Sequence, residues 1–344
     1  MSPRICRDRI CNHSTCAGRT GNSAPEGGPP RKRQSDQFFM SHNKSEQLND
    51  CPQQGGNGTG QHPGSRPHPT VRIIVTTHKK YRMPQDPMYL PVHVGAAIEK
   101  TGEGQEPDLG YLKDNIGANI SSRNPYFCEL TGLYWAWKHL HTDYIGLVHY
   151  RRHFRGNGRT HRSGIRGDIF DKVLTYRELE PMLGRYKVFV PAKRYYVIES
   201  LYSHYAHSHY IEHLDKTRAI LEQKYPEYIP AFDEVMAERS GHMFNMMIME
   251  RELLDEYCTW LFDILFTLES QVDIRNYSYF QGRYCGRVGE LILNVWLRYQ
   301  VQTGRLKESD IKVLPYLYVE HVNWWKKGKQ FLRAKFLHEK YEVQ

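Results

Sequence analysis

The chain has 344 residues, 40% of them hydrophobic, and carries a formal net charge of +9 at pH 7. No apolar run reaches the roughly 18 to 20 residues a spanning helix needs, and the first residues lack the charged-then-apolar order of a secretion signal, so an intracellular protein is expected. The charge excess is spread along the chain and fits phosphate-rich small ligands or an anionic membrane surface as readily as nucleic acid; the interleaved basic and aromatic pattern of an RNA-binding sheet is missing, and no nucleic-acid partner is expected.

Residues 1–69 are rich in Gly, Pro, Ser, Asn, Gln and Arg, with Gly27-Gly28-Pro29-Pro30 and Gln53-Gln54-Gly55-Gly56-Asn57-Gly58 as examples. Such a composition buries too little apolar surface to offset chain entropy, which predicts a disordered segment. Within it Cys11, His13 and Cys16 suggest a zinc knuckle, but a fourth ligand at short spacing and an apolar scaffold are missing. A folded domain is predicted over 70–327, followed by a basic amphipathic segment, 328–344.

The β-branched run Val71–Thr77 predicts a first strand that ends in His78-Lys79-Lys80. Val92–Ile98 reads as a short strand or turn, and Asp108–Ser122 as a polar loop. Leu130, Leu133, Tyr134, Trp137 and Leu140 recur at helical spacing across Tyr126–His141. Tyr144–Val148 is a strand that runs directly into His149, Arg151, Arg152 and His153. Further strands are predicted at Val188–Pro191, Met243–Met249 and Ile311–Leu314, and helices at Ile198–Lys224 (with breaks), Leu253–Glu269 and Gly289–Tyr299. This alternation predicts an α/β fold with a mostly parallel sheet. Ligands of such sheets sit outside the carboxyl ends of the strands. Two arginines and two histidines at one strand end therefore predict an anion pocket, since the guanidinium fork suits phosphate. Cys128, Cys258 and Cys285 are scattered and read as small buried hydrophobes.

Several phrases are similar to one family. They are Thr76-Thr77-His78-Lys79-Lys80-Tyr81, Asp86-Pro87-Met88-Tyr89-Leu90-Pro91, Asp114-Asn115 with Asn119-Ile120-Ser121, Asn124-Pro125-Tyr126-Phe127-Cys128-Glu129-Leu130, and His149-Tyr150-Arg151-Arg152. Over about residues 71–327 the chain resembles domain of unknown function 4422, whose members occur in bacterial capsule, exopolysaccharide and lipopolysaccharide loci and are regarded as glycosyltransferases. The resemblance implies a GT-A-like (Rossmann-like) fold. It also implies a nucleotide-sugar donor, first of all a UDP-sugar, and a lipid-linked oligosaccharide or polysaccharide acceptor at the inner face of the plasma membrane. A non-catalytic nucleotide-sugar-binding module is the alternative.

The resemblance assigns no residue roles, so the candidate site residues are inferred from this chain's residues against a GT-A-like fold. Thr77, His78 and Lys79 stand at the mouth of the first strand, for uridine or diphosphate, or as a solvated basic turn. Asp114, Asn115 and Asn119 suit ribose, uracil or sugar hydroxyls, or plain turn chemistry. Where most GT-A enzymes have a metal-binding Asp-X-Asp, this chain has His149-Tyr150-Arg151. Arginine cannot ligate a cation but can neutralise a departing diphosphate directly, so Arg151 and Arg152 are read as catalytic, with ion pairing on neighbouring loops as the other reading. No cofactor is expected, and a divalent metal is not favoured. Asn245 is expected to point to the donor sugar. Glu290, read as lying at a helix N-terminus that would favour its ionised form, is the candidate base for the acceptor hydroxyl, with Asp233 or Glu234 behind it; a capping role competes. Glu129 is a potential arginine partner. His209 and His213, four apart, could share a metal, but no glutamate follows His209 as in a zincin, and the segment reads as acceptor-side wall. Asn323–Leu337 alternates aromatic and aliphatic residues with lysines and reads as a membrane-surface segment or a packed terminal helix.

Overall fold

The computed structural model describes residues 68–98, 108–157 and 168–320. The expectations for the N-terminal segment, for Cys11, His13 and Cys16, and for Asn323–Leu337 lie outside the described residues.

The strands are β1 (Val71–Thr77), β2 (Tyr89–His93), β3 (Leu112–Lys113), β4 (Tyr144–His149), β5 (Arg152–Phe154), β6 (Val188–Pro191), β7 (Arg194–Tyr195), β8 (Ser240–Gly241), β9 (Met247–Glu250), β10 (Ile311–Leu314) and β11 (Tyr316–Tyr318). The helices are α1 (Asn124–Phe127), α2 (Leu130–His139), α3 (Tyr176–Leu179), α4 (Leu201–Ser208), α5 (Glu212–Lys224), α6 (Ile229–Ala237), α7 (Arg251–Gln271), α8 (Tyr279–Gly282) and α9 (Tyr284–Gln302).

One sheet organises the domain in the order β10-β6-β9-β4-β1-β2-β3, with β5 leaving β4 to pair with β11. The pairs β1–β2, β1–β4, β2–β3 and β6–β10 are parallel. β9 runs antiparallel to both β4 and β6. The central strands are continuous apolar runs because they are buried on both faces. Gly146 in β4 is required by crowding: a Cβ there would stand 2.9 Å from Ile248 Cγ1 and 3.0 Å from the Met247 carbonyl oxygen. Helices α2 and α7 pack on β4, and α5, α6 and α9 extend the core around α7. Cys128, Cys258 and Cys285 are buried free thiols, as expected.

Two departures from the sequence reading bear on the site. The helix expected over Tyr126–His141 breaks at Cys128, whose φ of 53° lies in the left-handed region. Asn124 holds the break by donating through Nδ2 to the Cys128 carbonyl (2.7 Å) and to Thr131 Oγ1 (3.0 Å). The strand expected from Met243 starts only at Met247, because Phe244 and Asn245 take φ of 74° and 52°. A bulky non-glycine residue held there is strained, and such turns persist only when their surroundings over-determine them. Helix α9 does so with one face: Asn294 brackets His242, accepting from its N–H (2.7 Å) and donating to its carbonyl (2.9 Å). Glu290 accepts from the Phe244 N–H (3.1 Å), and the Gly286 carbonyl accepts from Asn245 Nδ2 (2.9 Å).

Candidate active site

Because β9 is antiparallel, its entering turn sits at the carboxyl end of β4, beside His149. His149 Nε2 lies 2.7 Å from the Phe244 carbonyl, so that nitrogen carries the proton, and 3.8 Å from Glu129 Oε1. Burial, then the Arg152 charge, lowers the His149 pKa to about 4; the ring is neutral at pH 7.

The break at Cys128 turns Glu129 inward, where it is 8% exposed and accepts from Asn245 Nδ2 at 2.7 Å. Helix α9 contributes Arg287 and Glu290, and its N-cap contributes Arg283; their spacing of four and three residues sets them on one face. Burial raises both carboxyl pKa values, and the Glu129 charge raises that of Glu290 further. Two carboxyl groups in one dry site thus hold a proton between them more readily than either would in water. Cys128, pushed up to about 11 by burial, stays a thiol that accepts from Arg283 Nε at 3.0 Å.

Arg152 lies across the rings of Phe244 (4.4 Å) and Tyr318 (5.2 Å), and its Nε is buried without a hydrogen-bond partner. Neither Arg152, Arg283 nor Arg287 has a carboxylate partner among the described residues. A cleft of about 160 Å³ opens at Arg287, lined also by Arg194, Tyr196, Leu201, His204, Tyr205, His209, Met243, Glu290 and Leu291.

The structure sorts the sequence candidates. His149, Arg152, Asn245 and Glu290 come together. Glu290 is not at a helix start: α9 begins at Tyr284, so Glu290 lies in its second turn, and burial raises its pKa where a helix N-terminus would have lowered it. Asn245 turns its amide nitrogen to Glu129 and Gly286, while its Oδ1 is buried without a partner. Arg151 diverges from Arg152; it is 46% exposed and pairs with Glu320 at 3.4 Å. Thr77 Oγ1 donates to the Lys79 carbonyl (2.7 Å), His78 meets the Tyr150 ring edge-on, and Lys79 Nζ lies over the rings of Tyr150 and Tyr81.

Asp114 is buried and accepts from the Gly95 and Ala96 N–H groups and from Ser121 Oγ. Asn115 donates to the Ala96 carbonyl, and Asn119 bridges Gly117 and Ser121. All three therefore stitch a turn. Asp233 pairs with Arg218, and Glu234 with Arg298. His209 and His213 do not share a helix, since α4 ends at Ser208 and α5 starts at Glu212; His209 bonds Gln281, and His213 bonds Tyr205 and Tyr277. His204 and His207 both contact Glu199 through Nδ1 at 2.8 Å. Glu129 was read from the sequence only as an arginine partner, while Arg194, Arg283 and Arg287 carried no signal there.

A mostly parallel sheet with antiparallel β9 inserted between β4 and β6, and a charged cluster at the carboxyl end of β4, is the arrangement of a GT-A-like domain. The chain belongs to the family described as domain of unknown function (DUF4422), whose model matches residues 72–301. Among solved structures it is similar to the apo form of the bifunctional glycosyltransferase WbbM. The identity is 29% and the TM-score 0.63, covering 73% of this chain and 46% of that one. The chain thus spans less than half the length of that protein. Among curated proteins nothing matches. No helix among the described residues is long and apolar enough to cross a membrane.

Proposed function

We propose that this chain is a glycosyltransferase. It moves a hexose from a nucleotide-diphosphate sugar, first of all a UDP-sugar, to a hydroxyl of a lipid-carried surface-polysaccharide precursor at the cytoplasmic face of the membrane. One observation carries this reading: Glu290 faces an open cleft, while Arg152, without a carboxylate partner, stands by the same Phe244 turn. The likeness to a glycosyltransferase structure supports it.

In this reading the acceptor occupies the cleft and its hydroxyl proton passes to Glu290. The oxygen attacks the anomeric carbon, the bond from that carbon to the diphosphate oxygen breaks, and the diphosphate departs with the electron pair. Arg152 neutralises the growing charge in a site that water does not screen. A base is most effective when its pKa is near the working pH, and burial moves Glu290 in that direction. Glu129 and Asn245 position the turn and the proton. Arg151 joins the diphosphate only after leaving Glu320.

Many GT-A enzymes hold a divalent cation through Asp-X-Asp. The residues here do not suit one: His149 already donates its Nε2 proton to Phe244, an arginine follows two positions on, and no three His, Cys, Asp or Glu groups converge on an ion position among the described residues. No step is routed through a metal.

The test is nucleotide release from UDP-, GDP- and dTDP-sugars by the full chain, with and without EDTA. Release of one nucleotide that survives EDTA supports the proposal and names the donor class. Release abolished by EDTA refutes the metal-independent part. Nucleotide binding with no release under any acceptor supplied favours a binding module.

A further inference from the structure

We propose that the cleft between α4 and α9 is an anion-recognising acceptor subsite, in which Arg194 and Arg287 take a phosphate or carboxylate group carried by the acceptor. This rests on the glycosyltransferase reading and deepens it.

Both guanidiniums line the cleft. Arg287 lies over the Phe280 ring at 4.0 Å, and its Nη1 is buried without a hydrogen-bond partner. Arg194 lies over Tyr196 at 5.0 Å. Neither has a carboxylate partner among the described residues, whereas the adjacent Lys193 pairs with Glu238 at 3.2 Å. A buried guanidinium N–H left unmatched costs free energy unless a ligand completes it. The rest of the wall does not cancel the charge. Burial favours the neutral form of His204 and His209, Glu199 lies behind His204 and is shared with His207, and Glu290 is the one carboxylate among the lining residues, so two guanidiniums face one carboxylate. The cleft is therefore net positive, on the side where the acceptor hydroxyl must meet Glu290. Arg152 is not among the residues that line the cleft, so Arg194 and Arg287 suit a second anion.

Strand β7, which carries Arg194, and the residues after it also bear on the group attached to the anion. Tyr195, Val197 and Ile198, next in sequence to the cleft-lining Arg194 and Tyr196, are 73%, 79% and 60% exposed. An anionic sugar would leave them bare, while an amphiphile headgroup would bring an apolar chain against them.

The experiment is calorimetric binding to the full chain under saturating UDP, which blocks the diphosphate position. The probes are glucose 1-phosphate, methyl glucuronide, geranyl phosphate and neutral methyl glucoside. The anionic probes are expected to bind at least about tenfold more tightly than methyl glucoside, with the difference lost in the exposed-site variant Arg194→Ala. Geranyl phosphate binding tightest assigns the anion to a lipid headgroup; glucose 1-phosphate or methyl glucuronide binding tightest assigns it to a sugar. Equal binding of the neutral probe, a difference that survives Arg194→Ala, or displacement of every anionic probe by UDP overturns the subsite. Failure of UDP itself to bind removes the donor reading instead, and a probe difference lost in Arg194→Ala would still hold the anion site.

Discussion

Asn245 donates to Glu129 across 2.7 Å, and this contact joins two left-handed backbone positions that are 117 residues apart in sequence, Cys128 and Asn245. Each places a functional group where regular structure would not. The helix break turns Glu129 inward, and the turn before β9 presents the Phe244 N–H to Glu290 and the Phe244 carbonyl to His149.

Glu290→Gln tests the base. Glutamine keeps an oxygen for the Phe244 N–H, so the turn is retained while the proton acceptor is lost. Transfer should fall by about 10²- to 10⁴-fold in kcat with little change in nucleotide affinity. Loss of affinity with unchanged kcat would move Glu290 to a binding role.

The adjacent arginines should behave differently. Arg152→Ala removes a half-buried charge and should lower kcat/KM about 100-fold or more. Arg151→Ala removes an exposed ion pair with Glu320, a contact worth at most about 1 kcal/mol, and should cost less than about tenfold. Equal losses would show that Arg151 swings onto the diphosphate during turnover.

Stability should respond to pH from both sides. His149 binds its proton in the unfolded chain near 6.5 but in the folded one only near 4. Between those values the unfolded state holds more protons, so stability falls as pH drops through that window, on the order of 3 kcal/mol for this residue. His149→Gln should flatten the acid limb of a urea-midpoint profile. An unchanged limb would assign it to other groups, such as His153, also lowered to about 4.

The carboxyl pair has the opposite sign. The folded pKa values of Glu129 and Glu290 are raised, so the folded state holds more protons above the ordinary carboxylate range, and stability declines as pH rises through the folded values. Glu129→Gln should therefore raise Tm at pH 8 relative to the parent chain, with the gain shrinking toward pH 4. A gain that is constant with pH would point to packing rather than charge.

Gly146→Ala forces a methyl against Ile248, Ile73 and the Met247 carbonyl in the middle of the sheet. A loss of about 1 to 3 kcal/mol is expected in chemical unfolding, because backbone on one side cannot yield. A neutral result would mean that β4 and β9 can separate locally.

The sequence reading matches β1 and β6 in their boundaries and β4 to within one residue, because a buried strand writes its environment into a short apolar, β-branched run; it also matches β10, an apolar run that is only partly buried. The same local logic put His149, Arg151, Arg152 and His153 at one strand end, but did not show that His149 and Arg152 would meet Phe244 while Arg151 turns to Glu320. It did not find the breaks at Cys128 and Phe244, since neither contains the glycine that usually marks a left-handed position; contacts from Asn124, Gly286, Glu290 and Asn294 impose them instead. The environment expected for Glu290 has the wrong sign: α9 starts at Tyr284 and not at Gly289, and whether a carboxylate is capped or buried depends on what packs against it. Arg194, Arg283 and Arg287 are ordinary cations in the sequence. Only folding brings Arg194 from β7 and Arg287 from α9 to one cleft lined by a single carboxylate, with Arg283 at the N-cap of the same helix, because pairing and dehydration belong to positions in space and not to the order of the chain.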